Sequence, residues 1–349
     1  DKVFQFEKAF SEKMGMKYAL GVTSGTAALK VALAAAGVGY GDEVIIPANT
    51  FIASAGAVVS LGAIPVIVNI DDSLNMDPAL IEEKITPRTR AIMPVHMMGV
   101  ACDMDAISAI ARRHNLRIVE DCAQSLGTKY KDRYVGSFSD VAAFSLQFQK
   151  VLTTGEGGAV ATDSPEMYER AVRCHDHGVF RGIITERTGV QSAGEPFFAE
   201  NYRMSELTGA VAFVQIRKLG SLIGNMRRNK YFIKNLIKDL DQLEFRRVVD
   251  EEGDIGASLS IYLQDTAQRD EFIRRMRAEG IPLLTCYGGM PIYQKNAHFQ
   301  HLLSWHWKNY PFADPDIKKH LPDYSHSTLK ESPPKSSAYY GYDQLLHFQ

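Results

Sequence analysis

A lysine between two buried segments is the first candidate for chemistry in this sequence. Lys150 lies between short apolar runs at 141–144 and 159–161, and small residues follow it at Gly155, Gly157 and Gly158. Small residues let a backbone pass close to a bulky group. Partial burial disfavours the ammonium form of a lysine and frees its amine to attack a carbonyl carbon. The stretch therefore indicates a lysine that forms a Schiff base.

An acidic residue upstream supplies the second group that such chemistry needs. Without it, a lysine in a glycine-rich loop is best interpreted as an exposed side chain. Asp121 closes a short apolar strand, and a carboxylate at the C-terminal edge of a parallel sheet faces the ligand crevice. Pyridoxal phosphate (PLP) requires a lysine for its aldehyde and an acid that keeps its pyridine nitrogen protonated. Asp121 and Lys150 together predict PLP as the cofactor, with both residues catalytic.

Four motifs in a fixed order strengthen this prediction. They are TSGTAAL at 23–29, VEDCAQ at 119–124, FS at 144–145 with Lys150, and TTGEGG at 153–158. This set resembles the DegT/DnrJ/EryC1/StrS family of PLP-dependent sugar aminotransferases, and the resemblance runs from residue 1 to about residue 330. It implies the α/β fold of fold-type I PLP-dependent transferases, with a mainly parallel seven-stranded sheet and a smaller C-terminal α+β domain.

The resemblance also implies where the cofactor phosphate lies. Ser24, Gly25 and Thr26 follow the first strand and open a helix, whose N-terminal amides and dipole suit an anion. The same three residues could also be an ordinary helix cap. In the family, the positions of Gly25 and Thr26 hold the phosphate with help from the hydroxyl at Ser145.

Three further residues complete the site that the resemblance implies. Phe51 matches an aromatic position that stacks on the pyridine ring, although a phenylalanine beside a strand is often only core. Gln124 matches a position near the ring hydroxyl. Asn201 begins an Asn-x-Arg-Met element at 201–204. In the family this asparagine reaches the neighbouring subunit's phosphate site, which predicts a homodimer with shared active sites; a turn residue or helix cap is the alternative.

The composition argues against several classes of protein. Hydrophobic residues make up 45% of the 349 residues and charged residues 23%, as in soluble globular enzymes. The net charge of −2 argues against a nucleic-acid partner. The uncharged stretch 44–70 could span a bilayer by length, but prolines and glycines divide it into strand, helix and strand. We therefore predict a cytoplasmic protein without a membrane partner or a secretion signal.

The cysteines and histidines do not indicate a disulfide or a metal site. The cysteines have no paired spacing, which predicts free thiols in a reducing compartment, at Cys102, Cys122, Cys174 and Cys286. His175 and His177 are separated by one residue, without a third ligand at zinc-like spacing. We predict no metal.

Apolar periodicity predicts the elements that position these residues. Strands are expected at 18–22, 43–47, 64–70, 91–95, 116–120, 141–145 and 158–162. Helical segments alternate with them at 26–36, 53–61, 78–84 and 104–114, which predicts a doubly wound sheet.

The second half of the chain is expected to contain a loop, a linking helix and a small domain. Residues 181–201 are predicted to be a loop, and 205–240 a helical link between the domains. We divide the chain into a large PLP-binding domain, 1–225, and a small domain, 226–349. The last residues, 325–349, depart from the helix that usually closes the family's chains, so the end is expected to be truncated.

The resulting functional prediction is transfer of an amino group from glutamate or glutamine to a keto sugar, in surface-polysaccharide or natural-product amino-sugar biosynthesis. Segments 86–92, 94–99 and 287–307 resemble the branch that aminates an octulosonate-type keto-sugar acid; nucleotide-linked sugars and cyclitols remain alternatives. A related sugar dehydratase has histidine in place of the lysine, so Lys150 argues against it. A non-catalytic PLP-binding regulator is disfavoured by the complete lysine–aspartate pair. A nicotinamide dehydrogenase would need Gly-x-Gly-x-x-Gly after the first strand, which is absent.

Overall fold

A seven-stranded sheet forms the centre of the protein. The computed structural model describes residues 1–281, 283–285, 292, 296–302, 304, 310–322 and 324, and the backbone of Ser336–Tyr340. The strands of the sheet are β1 (Tyr18–Val22), β2 (Glu43–Pro47), β3 (Ile64–Val68), β4 (Thr89–Ile92), β5 (Arg117–Asp121), β8 (Val141–Ser145) and β9 (Gly158–Thr162). Their order is β1-β9-β8-β5-β4-β2-β3. Only β9 in this sheet runs antiparallel to its neighbours, so the predicted mainly parallel sheet is confirmed.

Helices pack on this sheet through two apolar clusters. The helices of the first half are α1 (Lys2–Met14), α2 (Gly25–Ala35), α3 (Ile52–Ser60), α4 (Met104–Arg113) and α5 (Pro165–His175). Single 3-10 turns occur at Pro78–Leu80, Glu82–Lys84, Met97–Gly99 and Ile216–Lys218. Alternate residues of a strand point to opposite faces, so Ile45 and Phe144 join one cluster while Ile46 and Ala143 join the other. Burial on both faces explains why these strands are continuous apolar runs.

The chain beyond β9 contains a helix that the sequence did not predict. The segment 181–201, expected to be a loop, includes α6 (Gly182–Thr188). Gly189 ends this helix in the left-handed conformation, with φ of 75°. The glycines at both ends indicated a loop, but they mark the helix boundaries. The predicted helical link is confirmed as α7 (Glu206–Gln215), a 3-10 turn and α8 (Leu219–Ile237). The proposed boundary after residue 225 falls within α8, and the division into domains stays a prediction.

A smaller sheet follows α8. It is antiparallel and combines β10 (Glu244–Phe245), β11 (Leu259–Leu263) and β12 (Ser336–Tyr340), with α9 (Thr266–Ala278) following β11 in the chain. The remaining described elements are the hairpin β6 (Lys129–Tyr130) and β7 (Arg133–Tyr134) and the short helices Ala297–Gln300 and Pro315–Lys318. Arg246, which is buried, ties this sheet to the first one by donating to the carbonyls of Ser73 at 2.5 Å and Met97 at 3.0 Å.

Two expectations from composition can be compared with the described residues. In that part of the chain, no helix combines the length and the apolar character that a membrane crossing requires. Cys102, Cys122 and Cys174 are buried free thiols, as predicted. Cys286 lies outside the described residues, as do 325–335 and 341–349.

Candidate active site

The predicted site residues follow strands that end at one edge of the large sheet. Parallel strands bring their C-terminal ends together, and ligands bind in the crevice outside that edge. β5 ends in Asp121 and β8 ends in Ser145. β1 leads into Ser24, Gly25 and Thr26 at the start of α2, and β2 leads to Phe51, which precedes α3.

The loop before α2 packs directly against the end of β8. A Cβ atom added at Gly25 would lie 2.6 Å from Ser145 Cβ and 2.8 Å from Ser145 Oγ. One added at Gly158 would lie 2.4 Å from the carbonyl oxygen of Ser24. The Ser24 hydroxyl caps α2 by accepting from the amide of Ala27 at 3.1 Å. The first-turn amides of a helix have no partner within the helix, so the Ser145 hydroxyl and the α2 N-terminus together offer the donors that a phosphate needs.

Asp121 is a buried carboxylate with a defined hydrogen-bond environment. It is 4% exposed; Oδ1 accepts from the amide of Ala123 at 3.0 Å, and Oδ2 accepts from Ser54 Oγ at 2.9 Å. Burial raises the pKa of Asp121, and the Ala123 amide, the Ser54 hydroxyl and the charge of Lys150 oppose that rise. A cation against this carboxyl group would favour its ionised form further. A protonated pyridine nitrogen is such a cation.

Lys150 occupies the connection between β8 and β9, as the sequence predicts. Its side chain is half-buried, and its amide donates to the carbonyl of Gln147 at 2.9 Å. The connection folds back on itself because the amide of Thr154 donates to the carbonyl of Leu146 at 2.8 Å. This connection follows β8, which pairs in parallel with β5, the strand that ends in Asp121.

Phe51 and Gln124 lie at the same edge in different environments. Phe51 precedes α3, and its side chain is 54% exposed, so it is not a core residue in this chain. Gln124 is buried, and its Oε1 accepts from the amide of Met98 at 3.3 Å. This bond joins the segment after β5 to the 3-10 turn after β4.

Asn201 lies on the surface beside the loop before α2. The amide of Thr23 donates to the carbonyl of Tyr202 at 3.0 Å, which holds the Asn201 segment against the end of β1. Asn201 is exposed and forms an antiparallel bridge with Asp176. Its Oδ1 accepts from the amide of Arg203 at 3.1 Å, which is a local turn contact. The reach of Asn201 into a partner's site stays a prediction.

A buried polar cluster on the other side of β5 was missed in the sequence. His96 Nδ1 accepts from the amide of Cys102 at 3.0 Å, so Nε2 carries the proton and donates to Glu120 Oε2 at 2.8 Å. Glu120 also accepts two backbone amides from the connection before β8. A signal existed, because Glu120 and Asp121 are adjacent in a strand and must point to opposite faces.

Cys122 joins His96 and Glu120 in a group whose ligand atoms lie within 4.8 Å of one another. The hydrogen bonds above already use both histidine nitrogens and both carboxylate oxygens. Burial raises the pKa of the Cys122 thiol to about 12, so the thiolate that a metal needs is disfavoured. The cluster supports the backbone around Asp121, and its hydrogen bonds do not favour a metal. His175, the other histidine considered as a metal ligand, donates from its ring Nδ1 to the Val172 carbonyl at 2.5 Å.

Comparison with known proteins identifies the family. The model of the DegT/DnrJ/EryC1/StrS aminotransferase family matches residues 1–329. The chain belongs to this family. Similar curated proteins include GDP-perosamine synthase of Caulobacter vibrioides, 41% identical over 62% of this chain and 57% of the relative. The spore coat polysaccharide biosynthesis protein SpsC of Bacillus subtilis is 41% identical over 63% and 58%. L-glutamine:2-deoxy-scyllo-inosose aminotransferase of Streptoalloteichus tenebrarius is 39% identical over 67% and 56%.

The chain thus spans between 56% and 58% of the length of these three relatives. Two solved structures match it more completely. 3-Amino-5-hydroxybenzoic acid synthase has a TM-score of 0.81 and 28% identity, with 100% of this chain and 87% of that chain covered. DesV of S. venezuelae has a TM-score of 0.79 and 31% identity, with 99% and 86% covered. The fold is that of fold-type I PLP-dependent aminotransferases, and PLP is the cofactor.

The residues of this family member fit PLP. The absence of a side chain at Gly25 lets the helix N-terminus approach the Ser145 hydroxyl closely, which suits a phosphate bound by both. Asp121 is buried and accepts hydrogen bonds from the Ser54 hydroxyl and the Ala123 amide, which suits an ionised partner for the ring nitrogen. Lys150 follows β8, the strand that pairs with the strand of Asp121, which suits a partner for the aldehyde. These positions agree with the sequence prediction, while the role of each residue stays a proposal.

Proposed function

We propose that this chain transfers an amino group from glutamate or glutamine to a keto sugar. The observation that carries the proposal is the buried, hydrogen-bonded carboxylate of Asp121 at the C-terminal edge of the sheet, with Lys150 in the connection that follows the neighbouring strand β8. When bound there, PLP supplies an electron-withdrawing ring that stabilises negative charge at a substrate carbon. Neither residue would need this placement in a protein that used the fold only as a scaffold.

Each side chain has a separate task in this proposal. Asp121 holds a proton on the pyridine nitrogen. Lys150 would hold the aldehyde carbon of PLP through Nζ, and its amine would move a proton at the substrate carbon. Gly25, Thr26 and Ser145 hold the phosphate. The second half of the reaction repeats the proton transfer in reverse on the sugar, with Lys150 again as acid and base.

Lysine rather than histidine at position 150 favours transamination over dehydration. A GDP-4-keto-6-deoxy-D-mannose-3-dehydratase from E. coli shares the fold, with a TM-score of 0.78, but is 23% identical and informs the fold alone. A side chain that exchanges covalently with the amino donor must be a primary amine, and Lys150 is one. A non-catalytic PLP-binding regulator, the other alternative, would contain the same Lys150 and Asp121 but would transfer no amino group.

The sugar is proposed to be nucleotide-linked. GDP-perosamine synthases in the comparison are named for a nucleotide-linked amino sugar, and the Bacillus relative is named for spore coat polysaccharide biosynthesis. The octulosonate prediction rested on 86–92, 94–99 and 287–307, and most of the last segment lies outside the described residues. An octulosonate-type keto-sugar acid is the second choice, because none of the relatives described above is named for such a substrate. The inosose aminotransferase supports glutamine as a possible donor.

A homodimer is proposed because an apolar surface adjoins Asn201. On α7, Leu207, Val211 and Val214 are exposed at helical spacing, with 83% of Leu207 accessible. Phe198, three residues before Asn201, is fully exposed. Apolar patches of this kind mark interaction sites. A second copy that covered this surface would lie beside Asn201, which supports the shared phosphate site.

An isotope-transfer assay tests the function. The PLP-loaded protein is incubated with α-¹⁵N-glutamate or α-¹⁵N-glutamine and one keto sugar at a time: GDP-, UDP- and dTDP-linked keto sugars, a keto-octulosonate and an inosose. We expect ¹⁵N in one nucleotide-linked product by mass spectrometry, and none with Lys150→Ala. Loss of water without ¹⁵N would support the dehydratase. Bound PLP without turnover of any sugar would support the regulatory alternative.

A further inference from the structure

We infer that Ser54 is a positioning residue that directs the Asp121 carboxylate at the cofactor, and that Thr50 orients Ser54. This inference rests on the proposed PLP site, because it concerns the carboxylate assigned to the pyridine nitrogen. Neither hydroxyl belongs to the motifs that the sequence analysis singled out. Both lie at the start of α3, far from Asp121 in sequence.

The three side chains form a buried chain of hydrogen bonds. Thr50 Oγ1 lies 2.6 Å from Ser54 Oγ, and Ser54 Oγ lies 2.9 Å from Asp121 Oδ2. Their relative exposures are 5%, 1% and 4%, so bulk water does not compete for these bonds. Ser54 is the third residue of α3, and Thr50 precedes Phe51. The N-terminus of α3 therefore carries both hydroxyls of this hydrogen-bond series and the Phe51 ring, which is proposed to stack on the cofactor.

The direction of each hydrogen bond follows from proton counting. An ionised carboxylate can only accept hydrogen bonds, so the Ser54 hydroxyl donates its single proton to Asp121. The oxygen of Ser54 can then only accept from Thr50, which must donate. The other acceptor near the Thr50 hydroxyl is the carbonyl of Phe51, at the longer distance of 3.4 Å. The arrangement thus runs one way, from Thr50 to Ser54 to Asp121.

The hydrogen bonds from Thr50 to Ser54 to Asp121 act on the proton that Asp121 shares with the pyridine ring of the cofactor. A hydrogen bond from Ser54 to Oδ2, together with the Ala123 amide on Oδ1, lowers the proton affinity of the carboxylate. The shared proton then stays on the pyridine nitrogen, where it draws electrons from the substrate carbon. Donation from Thr50 strengthens the Ser54 bond through cooperative polarisation. Without Ser54, the proton shifts towards Asp121 and the ring nitrogen loses cationic character.

The experiment compares four substitutions and one control in the full chain. Ser54→Ala and Thr50→Val remove the hydroxyls, whereas Ser54→Thr and Thr50→Ser retain them. The control is Ser60→Ala, at the other end of α3, where the hydroxyl donates to the Ala57 carbonyl at 2.8 Å. Each protein is loaded with PLP labelled with ¹⁵N at the ring. The readouts are the ¹⁵N chemical shift at neutral pH, the PLP dissociation constant, and kcat and KM separately.

We expect Ser54→Ala to move the ¹⁵N shift away from the pyridinium value and to weaken PLP binding by roughly tenfold, as loss of a hydrogen bond to a charged group does. kcat should fall more than KM rises, because the sugar does not contact Ser54. Thr50→Val should give a smaller change in the same direction. Both hydroxyl-retaining variants should restore the wild-type shift, and Ser60→Ala should match wild type throughout.

An unchanged ¹⁵N shift in both Ser54→Ala and Thr50→Val would overturn the inference. Asp121→Asn separates this result from a failure of the proposed function. If Asp121→Asn alters the ¹⁵N shift and the hydroxyl variants do not, Asp121 acts without Ser54. If Asp121→Asn also leaves the shift unchanged, the proposed cofactor site itself is wrong. Should Ser54→Ala fail to fold by circular dichroism, the near-isosteric Thr50→Val decides the question.

Discussion

Gly25 and Ser145 approach each other so closely that no methyl group fits between them. A Cβ at position 25 would lie 2.6 Å from Ser145 Cβ. The contact joins the start of α2 to the end of β8, two elements more than a hundred positions apart in the chain. Because this contact defines the proposed phosphate site, it gives the first testable prediction.

Gly25→Ala should weaken PLP binding. The new methyl group pushes the loop away from Ser145 and misplaces the helix amides, and displacements of this size cost roughly tenfold to a hundredfold in binding or rate. Titration of cofactor-free protein with PLP measures the change. The matched control is Gly224→Ala in α8, where a Cβ meets no atom within 4 Å. Equal PLP affinities in the two variants would remove the phosphate from this loop.

Lys150→Ala should abolish amino transfer while the fold persists. Position 150 supplies the amine that binds the aldehyde, and a half-buried side chain in a connection contributes little packing. The isotope-transfer assay measures activity, and thermal unfolding measures stability. Lys17→Ala, at an exposed position, controls for the loss of a positive charge. Transfer by Lys150→Ala at a rate near wild type would show that another group is the nucleophile.

Asp121→Asn should reduce kcat by roughly a hundredfold to a thousandfold, the usual cost of losing one group that stabilises developing charge. The neutral amide cannot hold the pyridine nitrogen in its protonated form, although PLP can still bind. Steady-state kinetics and the absorbance of bound PLP report the two effects separately. A variant that retained most of its activity would exclude Asp121 from the site.

The same substitution should stabilise the cofactor-free protein at neutral pH. Burial raises the pKa of Asp121, so the folded state binds this proton more tightly than the unfolded state does. That contribution is present at low pH and is lost as pH rises from the ordinary value of 3.8 through the folded pKa. The melting temperature of Asp121→Asn should therefore exceed that of wild type by an amount that grows with pH. A difference that shrank with rising pH would contradict the burial argument.

Mixed dimers test whether Asn201 serves the partner's site. If it crosses over, a dimer of Lys150→Ala and Asn201→Ala subunits has one site with both lesions and one intact site. Activity should then recover to about half of wild type per mixed dimer, because each C2-related site draws on both chains. Two different affinity tags purify the mixed species. Activity no higher than about half that of the Asn201→Ala parent would assign Asn201 to its own chain.

Much of the fold could be predicted because the local spacing of apolar residues indicates the local secondary structure. Four strands, including β1 and β8, have the predicted bounds, since apolar runs between turn residues are buried on both faces of a parallel sheet. The error at 181–201 has the same origin, because glycine marks helix ends as well as loops. The catalytic roles of Lys150 and Asp121 stay a prediction, drawn from a lysine after one strand and an aspartate at the end of another, which together indicate a specific cofactor chemistry.

The environment of that pair depends on contacts between distant segments. Ser54 lies 67 positions from Asp121. The start of α3 is rich in Ala, Ser and Gly, and it has no sequence pattern that predicts a contact with Asp121. The approach of Gly25 to Ser145 likewise follows from the packing of α2 against the strand β8. Residue types and their order can indicate which chemistry a chain performs. Only the folded chain brings these atoms within a few ångströms of one another. The tertiary structure therefore decides which hydroxyl orients the carboxylate and at which glycine no side chain fits.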